Sequence, residues 1–83
     1  MADLPDDLLP LHVTALRTER AMTAVREQGG DVDVARDAYV EAALVLRAHP
    51  FWETARQAGE HHTMWQKSIN AARQALDAAA AAA

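Results

Sequence analysis

Three breaks in the apolar pattern divide the chain into short stretches that each fit one helix. They fall at Gly29-Gly30, at His49-Pro50 and at Gly59. Glycine adopts the left-handed backbone that ends helices at little cost, and proline disfavours helical geometry at the preceding residue. Between the breaks, apolar residues recur at steps of three and four and never alternate with a period of two. The sequence therefore predicts an all-α protein, a small bundle with three main helices over about 7–28, 33–48 and 63–80 and a short helix over about 50–58.

The size of the chain limits how much stability it can draw from its own core. A chain of 83 residues is expected to form one domain, and one this small buries only about 60% of its unfolded surface. It contains no Cys, which excludes disulfides and thiolate metal ligands. Burial against a partner would therefore add substantially to its stability. We expect residues 1–5 and the alanine-rich end, 78–83, to fray.

Residues that favour helix starts precede each stretch. Asp6 or Asp7 is expected at the N-cap of the first helix, and Asp31 or Asp33 at that of the second. Pro50 suits the first position of the short helix, where its fixed φ angle helps.

Each main helix is expected to bury one apolar stripe. The last helix is predicted to open with a capping box, Thr63-x-x-Gln66. The stripes comprise Leu8, Leu11, Ala15, Thr18, Met22 and Val25 in the first helix, Ala35, Ala38, Tyr39, Ala42, Val45 and Leu46 in the second, and Trp65, Ile69, Ala72 and Leu76 in the last.

The second helix carries more apolar surface than one stripe needs. From Ala42 to Leu46 it is apolar all round, a pattern typical of a buried central helix. Either two helices of the same chain or a second copy could cover it. The leading hypothesis is a non-catalytic interaction module that forms a homodimer or meets a protein partner. The candidate self-interface consists of Val40, Leu44, Tyr39, Phe51 and Trp52.

The Phe51-Trp52 pair has two interpretations. The rings could form a hydrophobic plug that fixes the angle between helices, and this interpretation is favoured because large rings supply much of a small core. They could instead be an exposed anchor for a partner.

The sequence contains no pattern that indicates catalysis, a cofactor or a metal site. The four histidines lack the spacing that places two imidazoles on one helical face. Ser68 is the only serine, and no glycine-rich loop of the phosphate-binding kind is present. Carboxylates such as Asp6 and Asp7 stand at predicted helix starts, where the helix dipole favours them. We therefore expect a protein that is not an enzyme.

Charge and hydropathy narrow the expected partners. The net charge is −4, and the negative charge is concentrated in residues 1–41, which contain nine acidic residues and four Arg. Residues 42–83 hold three acids, three Arg and one Lys. A phosphate backbone would be repelled by the first part, so nucleic acid could bind only the second. No apolar run reaches the roughly 20 residues of a membrane span, and a cytoplasmic location is the default expectation.

The segment 54–70 resembles the helix-turn-helix of bacterial repressors. Ala55, Gly59 and Trp65 match the small, turn and buried positions of that motif, although Glu60 and Ser68 stand where apolar residues are usual. The resemblance implies an alternative function, a small DNA-binding regulator. The residues that would then contact DNA are His61, His62, Thr63, Gln66, Lys67 and Asn70, with Arg56 and Arg73 near phosphates.

The opening string Leu4-Pro5-Asp6-Asp7-Leu8-Leu9 resembles that of small uncharacterised helical proteins of Streptomyces-like actinobacteria and their phages or integrative elements. No activity is attached to that group, so the resemblance implies no site.

Overall fold

The first helix organises the bundle. In the computed structural model, which describes residues 4–82, α1 (Leu8–Glu27) packs against both α2 (Asp33–Arg47) and α4 (His61–Ala82). A short α3 (Phe51–Gln57) packs against α4. No strand occurs within residues 4–82, so the all-α prediction is confirmed.

Two glycines set the corners of the fold by the same local geometry. Gly29 has φ of 74° and Gly59 has φ of 72°, and each directly follows the C-cap residue of a helix. After α1, the N–H of Gly30 donates to the carbonyl of Val25 at 3.0 Å, and that of Gly29 donates to Arg26 at 3.1 Å. These two hydrogen bonds pair carbonyl groups that have no partner within the helix itself. The same pattern follows α3, which confirms that both glycines are helix terminators.

The start of α1 differs from the expected aspartate cap. Asp7 occupies the N-cap position, but its side chain makes no capping bond. Its Oδ1 instead accepts a hydrogen bond from His49 Nε2 at 3.0 Å. The His49 Nδ1 accepts the backbone N–H of Phe51 at 3.1 Å, so this ring joins the start of α1 to the start of α3. Pro50 lies at the N-cap of α3 rather than at its first position.

The second helix has one buried face rather than being buried all round. Its N-cap is Val32 rather than the expected Asp31 or Asp33, although the N–H of Asp33, its first residue, donates to Asp31 Oδ1 at 2.9 Å. Ala42 and Leu46 are buried, but Val45, which was predicted to be buried, is half exposed. The prediction that α2 is the central helix is wrong within the chain. α2 packs mainly against α1, whereas α1 packs against both α2 and α4.

The last helix begins two residues earlier than predicted. Thr63 therefore lies inside the first turn of α4, and the predicted capping box with Gln66 does not form. The N–H of Met64 donates to the carbonyl of Glu60, directly after the Gly59 corner. The buried residues are Met64, Ser68 and Ala72, so the buried face is rotated by about one residue from the predicted stripe.

The ends of the chain were expected to fray. Residues 1–3 and 83 lie outside the described residues. Leu4 packs against the core, and Ala78–Ala82 continue α4 with exposed side chains.

The core lies between α1 and its two neighbours and continues under α3. Four of its nine buried apolar residues are alanines, and one large ring fills the corner. The buried apolar residues are Leu8, Ala15, Leu16, Ala42, Leu46, Trp52, Ala55, Met64 and Ala72.

Candidate functional site

An aromatic cluster occupies the corner between α2, α3 and α4. The side chain of Trp52 is only 2% exposed, and its indole Nε1 donates to the carbonyl of Leu46 at 2.9 Å. The ring centroid of Trp52 lies 4.9 Å from that of Trp65 and 5.4 Å from that of Phe51. Trp52 is therefore the plug rather than an anchor, and it cannot offer its ring to a self-interface. Phe51, which shares this corner, is half-buried against the core.

A buried histidine–serine pair lies beneath this cluster. His12 Nδ1 is 2.6 Å from Ser68 Oγ. His12 is only 3% exposed and Ser68 only 1% exposed. Burial lowers the pKa of His12 from its usual 6.5, because desolvation disfavours the charged ring. The pair joins α1 to α4 and is closed to solvent, so it is placed to stabilise the fold rather than to attack a substrate.

Sequence reasoning missed this pair, although its spacing carries a signal. Ser68 lies four residues from Met64 and from Ala72, and these three share the buried face of α4. His12 is related in the same way to Leu8 and Leu16 on α1. A lone polar residue at the centre of each buried face indicates that the two meet, because buried polar groups require partners.

An open cleft of about 400 Å³ lies beside the aromatic cluster. Its six lining residues come from α2, α3 and α4: Arg47, Trp52, Arg56, His61, His62 and Trp65. No carboxylate is among these lining residues, although Arg56 also forms an ion pair with Glu53. The cleft thus combines aromatic rings with basic side chains in a chain whose net charge is −4.

His61 is held within this cleft by ring stacking. Its ring lies 6.2 Å from that of Trp65, with the two planes only 12° apart, and 5.6 Å from that of Trp52. His61 is half-buried, whereas His62 is exposed. Among the predicted DNA contacts, His61 is therefore the one whose ring is engaged within the chain. The other five, His62, Thr63, Gln66, Lys67 and Asn70, are exposed on α4.

The outer face of α2 forms the second candidate surface. Val40 is 46% exposed and Leu44 is 64% exposed. Asp37 and Arg47 lie on the same face at the next turns, and both are exposed. Neither forms an ion pair within residues 4–82. We call these four residues, Asp37, Val40, Leu44 and Arg47, the α2 stripe.

Tyr39 lies apart from the other predicted interface residues on α2. It is half-buried and lines a cavity of about 60 Å³ beside α1, together with His12 and Glu19. The structure therefore separates the predicted self-interface into an exposed part, Val40 and Leu44, and an inward-facing part.

Neither a metal site nor a membrane-spanning helix is found in the described part of the chain. Within residues 4–82, no three His, Asp or Glu side chains are grouped so that they could hold a metal ion. None of the four described helices is both long and apolar enough to cross a membrane. Comparisons with models of protein families, with curated proteins and with solved structures give no match. The site has to be interpreted from its own chemistry.

Proposed function

We propose that the protein is a non-catalytic helical interaction module that associates with a second copy of itself through the α2 stripe. The observation that carries this proposal is the order of residues along the stripe. Its members follow one another at steps of three, four and three, so they lie along one side of α2. Two exposed apolar residues form the middle of the stripe, with an acid at one end and a base at the other.

The α2 stripe is complementary to itself. An antiparallel two-fold contact centred near residue 42 places Asp37 of each copy opposite Arg47 of the other, because the two lie equally far from the centre, about 7.5 Å along the helix axis. The same operation places Val40 opposite Leu44. A two-fold contact requires one patch to match its own copy, and this order of residues meets that requirement.

The two parts of the stripe have different roles in the proposed dimer. Covering Val40 and Leu44 removes apolar surface from water and supplies the affinity, at about 25 cal/mol per Å² buried. Exposed ion pairs add little affinity, so the Asp37–Arg47 pairs act mainly by fixing the antiparallel register. A domain this small gains from such burial because its own core supplies only a few kcal/mol.

Solution mass is the direct test of self-association. We expect light scattering behind size exclusion to give twice the chain mass for the wild-type protein and one chain mass for Leu44→Asp, whose melting temperature also falls. The matched control is Val34→Asp, because Val34 is 80% exposed in the first turn of α2, before the stripe begins at Asp37. A wild-type protein that stays monomeric across a dilution series would overturn the proposal.

A charge exchange tests the register independently of apolar burial. Asp37→Arg and Arg47→Asp each place like charges opposite one another, and each is expected to raise the dimer dissociation constant. The double variant restores opposite charges and is expected to recover affinity. Additive losses in the double variant would exclude the antiparallel arrangement even if the protein is a dimer.

DNA binding through residues 54–70 is the second candidate function. The left-handed Gly59 corner between α3 and α4 favours it, as do the exposed Thr63, Gln66, Lys67 and Asn70. The net charge of −4 opposes it, since phosphate contacts supply most of the affinity for DNA. The self-association proposal therefore has the stronger support.

Duplex DNA at low salt tests this second candidate. A DNA-binding protein would shift host genomic fragments, and its affinity would fall steeply with added salt. Lys67→Ala would weaken that binding, whereas Arg36→Ala on α2 removes the same charge away from α4 and serves as the control. The absence of a shift at low salt would exclude this function.

A further inference from the structure

The cleft brings together basic side chains from three helices in an acidic protein. Arg47 is the last residue of α2, Arg56 belongs to the last turn of α3, and His62 belongs to the first turn of α4. These residues are distant in sequence, so only the tertiary fold gathers them. Arg47 forms no ion pair within residues 4–82, whereas Arg56 is paired with Glu53. Positive charge in a concave surface attracts anions and raises their local concentration.

The aromatic wall of the same cleft is fixed in place. Trp52 is anchored by its hydrogen bond to the Leu46 carbonyl and by burial of nearly its whole side chain. Trp65 packs against Trp52, and His61 lies almost parallel to Trp65. Partly exposed, prepositioned rings bind a planar ring with little loss of conformational freedom.

We propose that this cleft binds a small anion that carries a planar aromatic ring, such as a nucleotide or an aromatic carboxylate. The anionic group contacts the two arginines, whose guanidinium groups match the geometry of phosphate and carboxylate oxygens. The planar ring packs against the Trp65–His61 wall. A volume of about 400 Å³ lies within the range of small-molecule sites.

This inference does not require self-association, although the proposed dimer and the anion both engage Arg47. Arg56, His61, His62 and Trp65 lie outside the α2 stripe, and only Arg47 belongs to both surfaces. A monomeric protein could bind the anion, and a dimer could form with the cleft empty. Val40→Asp removes apolar surface from the same stripe but stands seven residues from Arg47, so it provides a background in which the cleft is tested without the proposed dimer.

Nuclear magnetic resonance titration tests the site with defined probes. Adenosine 5′-monophosphate and nicotinate each combine a ring with an anionic group, whereas adenosine and inorganic phosphate each supply only one of the two. We expect saturable shifts of the Trp65 indole N–H and the His61 and His62 amides with at least one combined probe. A response to only one of them distinguishes a nucleotide from an aromatic carboxylate as the class of ligand. The proposal is overturned if neither combined probe saturates up to roughly 10 mM, or if neither binds more tightly than its separate parts.

Paired arginine variants locate the anion. Arg56→Ala is expected to weaken binding of the combined probe about tenfold, the usual effect of losing a hydrogen bond to a charged group. Arg36→Ala is the matched control, because Arg36 also pairs with an acid three residues before it and lies outside the cleft. Equal effects of the two variants would show that the shifts report general charge rather than this site.

Discussion

The outer face of α2 and the cleft beside α3 differ in how the fold treats their large side chains. Val40 and Leu44 are 46% and 64% exposed, whereas Trp52 is buried and bonded at the base of the cleft. The first surface lies outside the buried core, and the second includes the core residue Trp52. A surface that is apolar but not needed for stability is suited to a partner, and a preformed cleft is suited to a small ligand.

The largest expected effect comes from truncating the buried side chain of the cleft, with an exposed side chain of α2 outside the stripe as the control. Trp52→Ala is expected to lower the free energy of unfolding by about 3–5 kcal/mol, because it removes a buried ring and leaves the Leu46 carbonyl without its indole donor. Val34→Ala on α2 is expected to change it by no more than about 0.5 kcal/mol, since Val34 is 80% exposed. Urea denaturation measures both.

The milder Trp52→Phe variant keeps the experiment interpretable if Trp52→Ala does not fold. It retains a ring but loses the indole donor, so its loss is expected to lie between the other two. If Trp52→Phe and Val34→Ala prove equally stable, the cleft does not depend on the core as described.

Ser68→Ala tests whether the buried pair supports the cleft from below. The change leaves His12 without its partner in the interior, where an unsatisfied polar group costs about 1–3 kcal/mol. The His12 ring lies 4.8 Å from that of Trp65, so the fluorescence of Trp65 is expected to change as well. Thr14→Ala is the control, because the Thr14 hydroxyl is exposed and bonds within α1. A Ser68→Ala protein as stable as this control would contradict a structural role for the pair.

The two glycine corners allow stability to be separated from ligand binding. Gly29→Ala and Gly59→Ala are each expected to cost about 1–2 kcal/mol, because both positions have positive φ while an added Cβ would meet no neighbour within 4 Å. The costs should match because the corner geometries match. Only Gly59→Ala should weaken binding in the cleft, since Gly59 joins α3 to α4. Thermal melts and the probe titration together check this, and equal loss of binding in both variants would count against the site.

The smallest expected effect is a pH dependence from His12. Its pKa is lowered in the folded protein by burial, so the unfolded chain takes up a proton at a higher pH than the folded protein does. Stability is therefore full above the unfolded pKa of 6.5 and declines as the pH falls below it. We expect the melting temperature to fall between about pH 7.5 and pH 5.5, and to fall less in His12→Asn. His62→Asn, which alters an exposed ring, should keep the wild-type dependence. An unchanged dependence in His12→Asn would exclude His12 as the cause.

The sequence predicted the helices well where local chemistry decides and poorly where distant residues intervene. Gly29 and Gly59 end helices as expected, because a positive φ is a property of the residue and its neighbours. Asp7 was expected to cap α1, but its carboxylate bonds to His49, which is 42 residues away. No local pattern contains that contact.

The candidate sites divide in the same way. The exposed Val40 and Leu44 were identified from sequence because they fall outside the apolar face that α2 was predicted to bury. The cleft was not identified, since Arg47, Arg56 and His62 become neighbours only when three helices converge. The sequence left two interpretations of Trp52 and favoured the plug, but only its burial excludes the exposed anchor.

The sequence by itself determined that the chain is helical and where its corners fall, because helix periodicity and glycine termination act over a few residues. The tertiary structure alone decided which helix is central and which side of each helix is buried. It made α1 central rather than α2, and it rotated the buried face of α4 onto Met64, Ser68 and Ala72. Those outcomes depend on which faces fit together, and the His12–Ser68 bond between α1 and α4 is part of that fit.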